Sequence, residues 1–269
     1  MELHNKISIG LIGASGRMGK SIIGVLSSSQ NSKLGKAIVR NGSPFVNLDS
    51  GLQSGVVENH VPFEDHLEKH ASNVDVWIDF SSHTSVAQNL ETILRVKKPI
   101  VIGSTGLSAS DKAKIFEASS HIPILFSPNM SVGVNLLFKL TELATKILHD
   151  YHIEILDIHH SHKKDSPGGT TNKLKEIVLD VLGRTEEQVI HGRNGILGER
   201  DPNQVAIHSM RAGEVIGEHT VFYFGKEDRL EITHKATDRK VFATGSVKAA
   251  EFLHGKKPGM YTMFDCLGI

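Results

Sequence analysis

The chain has 269 residues, with 30 Lys and Arg against 30 Asp and Glu, and a formal net charge of zero. At 39% hydrophobic and 22% charged residues it can bury a real core and falls outside the compositions of disordered chains. Neutral charge gives no reason to expect nucleic acid or an acidic membrane surface as a partner, so any anion must be bound locally. One cysteine, Cys266, rules out an intrachain disulfide and fits a reducing compartment, so a cytoplasmic protein is expected. The apolar stretch 121–138 is broken by Pro123, Pro128 and Asn129, which argues against a membrane span. The opening "MELHNKISIGLIGASG" faintly mimics a signal peptide, but its apolar run is too short, and a buried strand entering a glycine loop explains it better.

In chain order, "KISIGLIG" (6–13) reads as that strand, and a helix follows through "GKSIIGVLSS" (19–28). "KLGKAIVR" (33–40) is a second strand, and 41–65 is poorly patterned, a loop with a short strand. "VDVWIDFS" (74–81) is another strand, followed by a helix with Val86, Leu90, Ile93 and Leu94 on one side. "PIVIGSTG" (99–106) and "IPILFSPN" (122–129) are further strands, with a helical segment around 109–119 between them. Strands with little alternation, separated by helices, imply a parallel sheet covered on both faces.

A long helix is expected over roughly 132–150, and then the character changes. "HIEILDIHH" (152–160), "QVAIHSMR" (204–211), "HTVFYFG" (219–225) and "RLEITHKA" (229–236) read as partly alternating strands, with "GKEDR" as a hairpin turn. The main helix of this half is "NKLKEIVLDVL" (172–182), stopped by Gly183. "KVFATGSVKAAEFLHG" (240–255) reads as a helix that docks back on the first half. The expected domains are 1–130 for dinucleotide binding, joined by 240–269, and 131–239 for substrate binding and oligomerisation.

"GASGRMG" places Gly13, Gly16 and Gly19 after the first strand. A helix starting there aims free N–H groups and a positive dipole end at a phosphate. The spacing G-x-x-G-x-x-G is less specific than G-x-G-x-x-G, and a tight structural turn would use glycine too. About 20 residues beyond such a loop, an acid would grip the adenosine ribose of NAD. Here Val39 and Arg40 stand in that region, and an arginine without the acid suits a 2′-phosphate, hence NADPH as preferred donor with NADH as an alternative.

"HHSHKKDSPGGTT" (159–171) concentrates three histidines, two lysines and an aspartate in seven positions. A metal site would lack a cysteine or a clear distant carboxylate, so no metal is expected. A plain surface loop needs no such concentration. As an anion-binding and proton-transfer loop the pattern makes physical sense. A strand delivers His159 and His160, Lys163 reaches the same cavity, and Gly168 and Gly169 turn the chain. Thr170 and Thr171 then open a helix at 172 with a cap hydroxyl and exposed N–H groups. Asp165 reads as an orienting partner for a neighbouring lysine, and His162 and Lys164 as surface.

These motifs, with "DFS" (79–81), "GSTG" (103–106), "SPNMSVGVN" (127–135), "RAGEVIGEHTV" (211–221), "RLEITHKA" and the terminal "PGMY", resemble the 4-hydroxy-tetrahydrodipicolinate reductase family nearly end to end. The resemblance implies an α/β fold with a Rossmann-like parallel-sheet dinucleotide-binding domain, plus an α+β substrate domain with an open mixed sheet. It implies NAD(P)H-dependent reduction of a small cyclic dicarboxylate imine in diaminopimelate and lysine synthesis, by a homotetramer. By the same resemblance Gly13, Ala14, Ser15, Gly16, Arg17 and Met18 line the pyrophosphate site. Gly103, Ser104, Thr105, Ser127, Pro128, Asn129 and Met130 lie by the nicotinamide. His159 matches the proton donor, and Lys163 a second donor and substrate cation. His160, Gly169 and Thr170 match the substrate carboxylate contacts. The chain departs from the family pattern at Val39, where an acid is usual, at Ser104 within "GSTG" for "GTTG", and at Gly168 within "PGGT" for "PSGT". Two other readings are another oxidoreductase on the same plan and a nucleotide-sensing protein without turnover; the latter leaves the histidine loop unexplained.

Overall fold

Residues 6–269 are described by a computed structural model. The first part of the chain alternates strand and helix: β1 (Ile7–Ile12), α1 (Arg17–Ser28), β2 (Ser32–Ile38), α2 (Ser50–Gln53), β3 (Phe63–Glu64), α3 (Leu67–His70), β4 (Val76–Asp79), α4 (Val86–Arg95), β5 (Ile100–Ile102), α5 (Ala109–Ala118) and β6 (Pro123–Phe126). The poorly patterned segment 41–65 thus holds a short helix besides its expected strand. Asp49 caps that helix by accepting the Leu52 N–H at 2.9 Å.

The second part holds α6 (Val132–Ile147), β7 (His152–His159), α7 (Gly169–Leu182), β8 (Val189–His191), β9 (Val205–Arg211), β10 (Gly217–Phe224) and β11 (Arg229–Ala236). The tail adds α8 (Lys240–Leu253), β12 (Gly259–Tyr261) and α9 (Met263–Leu267). β8 and β12 are short strands that apolar patterning over three residues does not announce.

The chain divides into two compact units: one runs to Val132 and resumes at Arg239–Ile269, and the other is Gly133–Asp238. The first is built on a seven-stranded sheet of order β12-β6-β5-β4-β1-β2-β3, with every pair parallel. Such strands are buried on both faces, which explains their weak alternation. Ile9 and Leu11 face α1 and α8, where Ile22, Ile23, Leu26, Val247 and Leu253 close one core. Ile12, Trp77 and Ile100 face α4 and α5, where Leu90, Ile93 and Ile115 close the other. Each fully buried Ile or Leu contributes about 1.5–3 kcal/mol. Chain order reverses at β1, which has β2 on one side and β4 on the other, the place where open α/β sheets bind ligands.

The second unit is a mixed five-stranded sheet of order β11-β10-β7-β9-β8. β10 pairs antiparallel with β7 and β11, while β7 pairs parallel with β9. Along β7, Ile153, Ile155 and Asp157 are fully buried on one face, under α7, while Glu154 and Leu156 face the other way. Tyr223 of β10 fixes α6 on the buried face, with its hydroxyl 2.8 Å from Thr145 Oγ1 and 3.1 Å from the Thr141 carbonyl oxygen. Burial pushes that phenol up to about 12.

Candidate active site

The glycine loop leaves β1 through Gly13, whose φ of +81° is the left-handed region that glycine alone enters without strain. A Cβ there would also stand 2.5 Å from the Phe80 carbonyl oxygen, at the end of β4. The N–H groups of Gly13 and Ala14 both donate to the Ile38 carbonyl at 3.0 Å, tying the loop to the end of β2. Helix α1 then starts with Gly16 as N-cap and no side-chain cap, and its first helical bond runs from Lys20 N–H to the Gly16 carbonyl. The preceding first-turn N–H groups therefore suit an anion. A cleft of about 590 Å³ opens above them, lined by Gly13, Ser15, Gly16, Val39 and Arg40 among others.

Several side chains differ from the sequence reading. Ala14 is fully buried in the core, so only its backbone can meet a ligand. Val39 is 4% exposed and packs in the same core, while Arg40 is exposed. Asp65 and Glu68, which the sequence did not single out, line the cleft with Arg40. A second cleft of about 300 Å³ collects Met18, Gly103, Thr105, Pro128, Asn129 and Met130, together with Phe80 and Phe242. Phe80 packs so closely on Gly103 that a Cβ there would lie 2.2 Å from its ring. Ser104 and Ser127 are buried supports instead. Ser104 Oγ donates to the Ser81 carbonyl at 3.1 Å, and Ser127 Oγ donates to that of Asn129 at 2.8 Å.

Beneath this loop Asp79 is fully buried. Its carboxylate accepts the Ser81 N–H at 2.7 Å and the Asn89 amide at 2.9 Å, with Ser104 Oγ further off at 3.4 Å. Burial outweighs these neutral donors, and the carboxyl is pushed above the usual range.

The histidine loop lies wholly in the second unit. Its helix starts earlier than expected: α7 begins at Gly169, Gly168 is the N-cap, and no threonine hydroxyl caps it. Glycine at 168 frees the N-cap from the hydroxyl role, and its own N–H donates to Asp157 Oδ2 at 3.1 Å instead. Gly169 and Thr170 thus lie in the first turn of α7, at the positive end of its dipole. β7 ends at His159, and His160 follows in the loop, its N–H donating to the Val215 carbonyl at 2.7 Å. Lys163 Nζ is gripped by both oxygens of Asp165, at 2.7 and 2.8 Å. That contact holds the Asp165 carboxyl below its ordinary value. His162 is exposed.

Four polar residues of this site, Asp157 among them, escaped the sequence reading. β-Register sets His219 of β10 and Ser209 of β9 opposite Asp157 on β7, and Arg211 opposite His159. Asp157 Oδ1 lies 2.7 Å from His159 Nδ1 and 3.7 Å from His219 Nε2, and Oδ2 accepts from Arg211 at 2.9 Å. The His159 contact is within hydrogen-bond distance without meeting the geometry of an N–H bond, and it is an ion pair when the ring is protonated. Burial alone would raise the Asp157 carboxyl, but His159, Arg211 and the Gly168 N–H more than offset it and hold it well below the carboxylate range. His219 stacks edge-on against His159, with ring centroids 5.2 Å apart. Burial, then the neighbouring His159, pushes His219 down to about 4, so it is neutral at physiological pH. Asp157, His159 and His219 bring one donor atom each within 4.8 Å of one another. The Asp157 carboxylate of this group is already paired with the Arg211 guanidinium. Spacing two along β7 places Asp157 and His159 on one face, a signal that could have found Asp157 but was not read; Arg211 and His219 needed the strand pairing.

A parallel-sheet unit with a glycine loop at its switch point, and a second unit carrying a buried acid–histidine pair beside a lysine, define an NAD(P)H-dependent oxidoreductase. Residues 7–130 match the family model described as dihydrodipicolinate reductase, N-terminus, and 133–267 match dihydrodipicolinate reductase, C-terminus. The chain belongs to the dihydrodipicolinate reductase family. It is 43% identical over 259 residues to the 4-hydroxy-tetrahydrodipicolinate reductase of Anaeromyxobacter dehalogenans, covering 96% of each chain. It is also 43% identical over 263 residues to that of Hahella chejuensis, covering 97% of this chain and 98% of the other. Among solved structures, a dipicolinate-bound dihydrodipicolinate reductase from a Paenisporosarcina species superposes with a TM-score of 0.77 at 20% identity, over 97% of this chain and 98% of that one. At that identity the likeness speaks for the fold.

Proposed function

We propose that this protein is an NAD(P)H-dependent reductase acting on the cyclic, unsaturated dicarboxylic imine formed from 4-hydroxy-tetrahydrodipicolinate with loss of water. The product is tetrahydrodipicolinate, in diaminopimelate and lysine synthesis. The observation that carries this reading is the convergence of His159 and Lys163 around Gly168, where a Cβ would meet Lys163 Cε at 3.1 Å and His159 Cε1 at 3.7 Å. Family membership supplies the substrate class.

The residues fit a bound dinucleotide: the Gly13 turn admits no side chain, and the first turn of α1 offers its N–H groups to a pyrophosphate. Gly13, Ser15, Gly16, Arg17 and Met18, with the backbone of Ala14, would hold that end. Gly103, Thr105, Pro128, Asn129 and Met130 would flank the nicotinamide, with Ser104 and Ser127 holding their loops. When bound, the dinucleotide supplies the hydride.

Reduction leaves an electron-rich centre that must take a proton. His159 delivers it, and Lys163 serves as second donor and as the cation for one carboxylate. Lys163 is already paired with Asp165, so substrate carboxylate exchanges for that partner. His160, Gly169 and Thr170 hold the other carboxylate, the last two through the first turn of α7. Arg40 favours NADPH, while Asp65 and Glu68 in the same cleft oppose a phosphate and keep the preference modest. The family resemblance and the other face of the second sheet, with Phe222 and Phe224 half-buried and Met210 exposed, support a homotetramer joined there. Light scattering giving the monomer mass at micromolar concentration would reject that assembly.

The deciding experiment is NAD(P)H oxidation with freshly generated substrate, for the parent and His159→Gln. The parent turns over, and the variant loses about 10²–10⁴ in kcat, the usual size of general acid catalysis. Turnover within a factor of three of the parent would remove His159 from the role of proton donor.

A further inference from the structure

Asp157 sits two residues before His159 on β7, fully buried, with no path of its own to a substrate. Yet three strands and the N-cap of α7 converge on it. β7 supplies His159, β9 supplies Arg211 and Ser209 Oγ at 3.3 Å, β10 supplies His219, and Gly168 supplies its N–H. A buried carboxylate is costly unless paired, and this one lies between the guanidinium and the imidazole. On its other side the His159 ring faces β10 at a glycine. A Cβ on Gly217 of β10 would stand 3.0 Å from His159 Nε2 and 3.4 Å from Cδ2. The ring therefore has Nδ1 against an acid and Nε2 over a glycine.

We propose that Asp157 is the positioning residue of this site: it holds the His159 ring with the Nδ1 proton directed at itself, leaving Nε2, in the space that Gly217 keeps open, as the atom that gives up the transferred proton. The partner of one ring nitrogen decides which proton the other presents. Arg211 secures the carboxylate by a second tie, to the Asp165 carbonyl at 2.7 Å, so the anchor and the lysine loop are held by one guanidinium. His219, neutral in its buried position, walls the ring without adding charge. This rests on the reading of His159 as proton donor.

The groups facing His159 are Asp157 from its own strand, Arg211 from β9, His219 from β10 with His234 of β11 beyond it, and Lys163 and Asp165 from the loop. Of these, Asp157 is the anion in contact with the ring. Its loss disfavours imidazolium, so activity that needs the protonated ring is lost at lower pH.

The test compares kcat and KM across pH for the parent, Asp157→Asn, Asp157→Glu and His159→Gln. Asp157→Asn is expected to lower kcat about 10–100-fold with KM within about threefold. The alkaline fall of its kcat profile moves down by about one pH unit, and Asp157→Glu restores most of the profile. Unchanged kcat and profile in Asp157→Asn, with His159→Gln inactive, would overturn the inference and leave the proton-donor reading intact. An active His159→Gln would overturn that reading instead, and the inference with it. A parent measurement keeps the test decisive should Asp157→Asn not fold: nitrogen NMR of histidine-labelled protein, with His159 assigned by its loss in His159→Gln. A proton on Nδ1 of neutral His159 supports the inference, and a ring protonated on Nε2 alone refutes it.

Discussion

Asp79 and Asp157 are the same residue, both fully buried, each at or near the end of a central strand, and their carboxyls move in opposite directions. Around Asp79 the donors are neutral: a backbone N–H, an amide and a serine hydroxyl. Around Asp157 stand Arg211 and His159 as well as the Gly168 N–H. At Asp79 the neutral hydrogen bonds do not offset the desolvation of the carboxylate, whereas at Asp157 the charged partners together with the Gly168 N–H do. The first aspartate ties together loops that flank the two clefts of the first unit. The second remains an anion and can orient a histidine.

The largest effect expected from this contrast is on stability. Arg211→Ala leaves Asp157 a buried anion without its permanently charged partner and should cost about 3 kcal/mol, the low end for breaking a buried pair, since Arg211 keeps some solvent contact. Ser104→Ala removes a neutral hydrogen bond to the Ser81 carbonyl and two longer contacts to Asp79 and should cost about 0.5–1.5 kcal/mol. Urea unfolding followed by circular dichroism ranks the two, and Trp77, the single tryptophan, reports the Asp79 unit by fluorescence. Equal losses would break the distinction between neutral and cationic partners.

Lys163→Ala tests the cationic side on the substrate. Removing a charge-assisted contact should raise KM and lower kcat by a combined factor equivalent to about 1.5–3 kcal/mol. If both constants hold, Lys163 is a surface lysine paired only with Asp165.

In the neutral-donor unit the expected effect is smaller. NADPH should exceed NADH about tenfold in kcat/KM, or about 1.4 kcal/mol. Val39→Glu should shift the ratio toward NADH, and Arg40→Ala should erode NADPH use alone. Because Val39 is packed in the core, Val39→Glu also carries a stability cost, so the ratio of the two cofactors is the readout rather than either rate. A clear NADH preference in the parent would show that Arg40 does not read the phosphate.

The smallest effect is a slope. Asp79 has its folded pKa raised, so the native state holds its proton longer than the unfolded chain does. Stability therefore falls as pH rises from the ordinary carboxylate value of 3.8 through the raised one. Asp157, with a depressed pKa, contributes stability that is present above 3.8 and lost as pH falls toward its folded value. Asp79→Asn should flatten the loss above 3.8, and Asp157→Asn the loss below it, in melting temperature against pH. The same slope change in both variants would refute the assignment of opposite shifts.

The sequence by itself determined the parallel α/β half, because strands buried on both faces are written as continuous apolar runs between helices. It also determined the glycine turn, since Gly13 is dictated by a backbone that no other residue adopts without strain, and it marked His159 and Lys163 by sheer local density of proton carriers. The start of α7 was read three residues late, because the cap came from a glycine N–H bonded to a distant aspartate rather than from a threonine hydroxyl. Only the tertiary structure decided that Val39 and Ala14 turn into the core, that Ser104 supports a buried acid, and that Phe80 and Phe242 meet in one cleft. It alone decided that Arg211 and His219 join Asp157. Those residues lie 54 and 62 positions along the chain from Asp157 and share no local pattern with it. Strand register brings them together, and register is fixed by the burial of whole sheet faces rather than by any motif near the site.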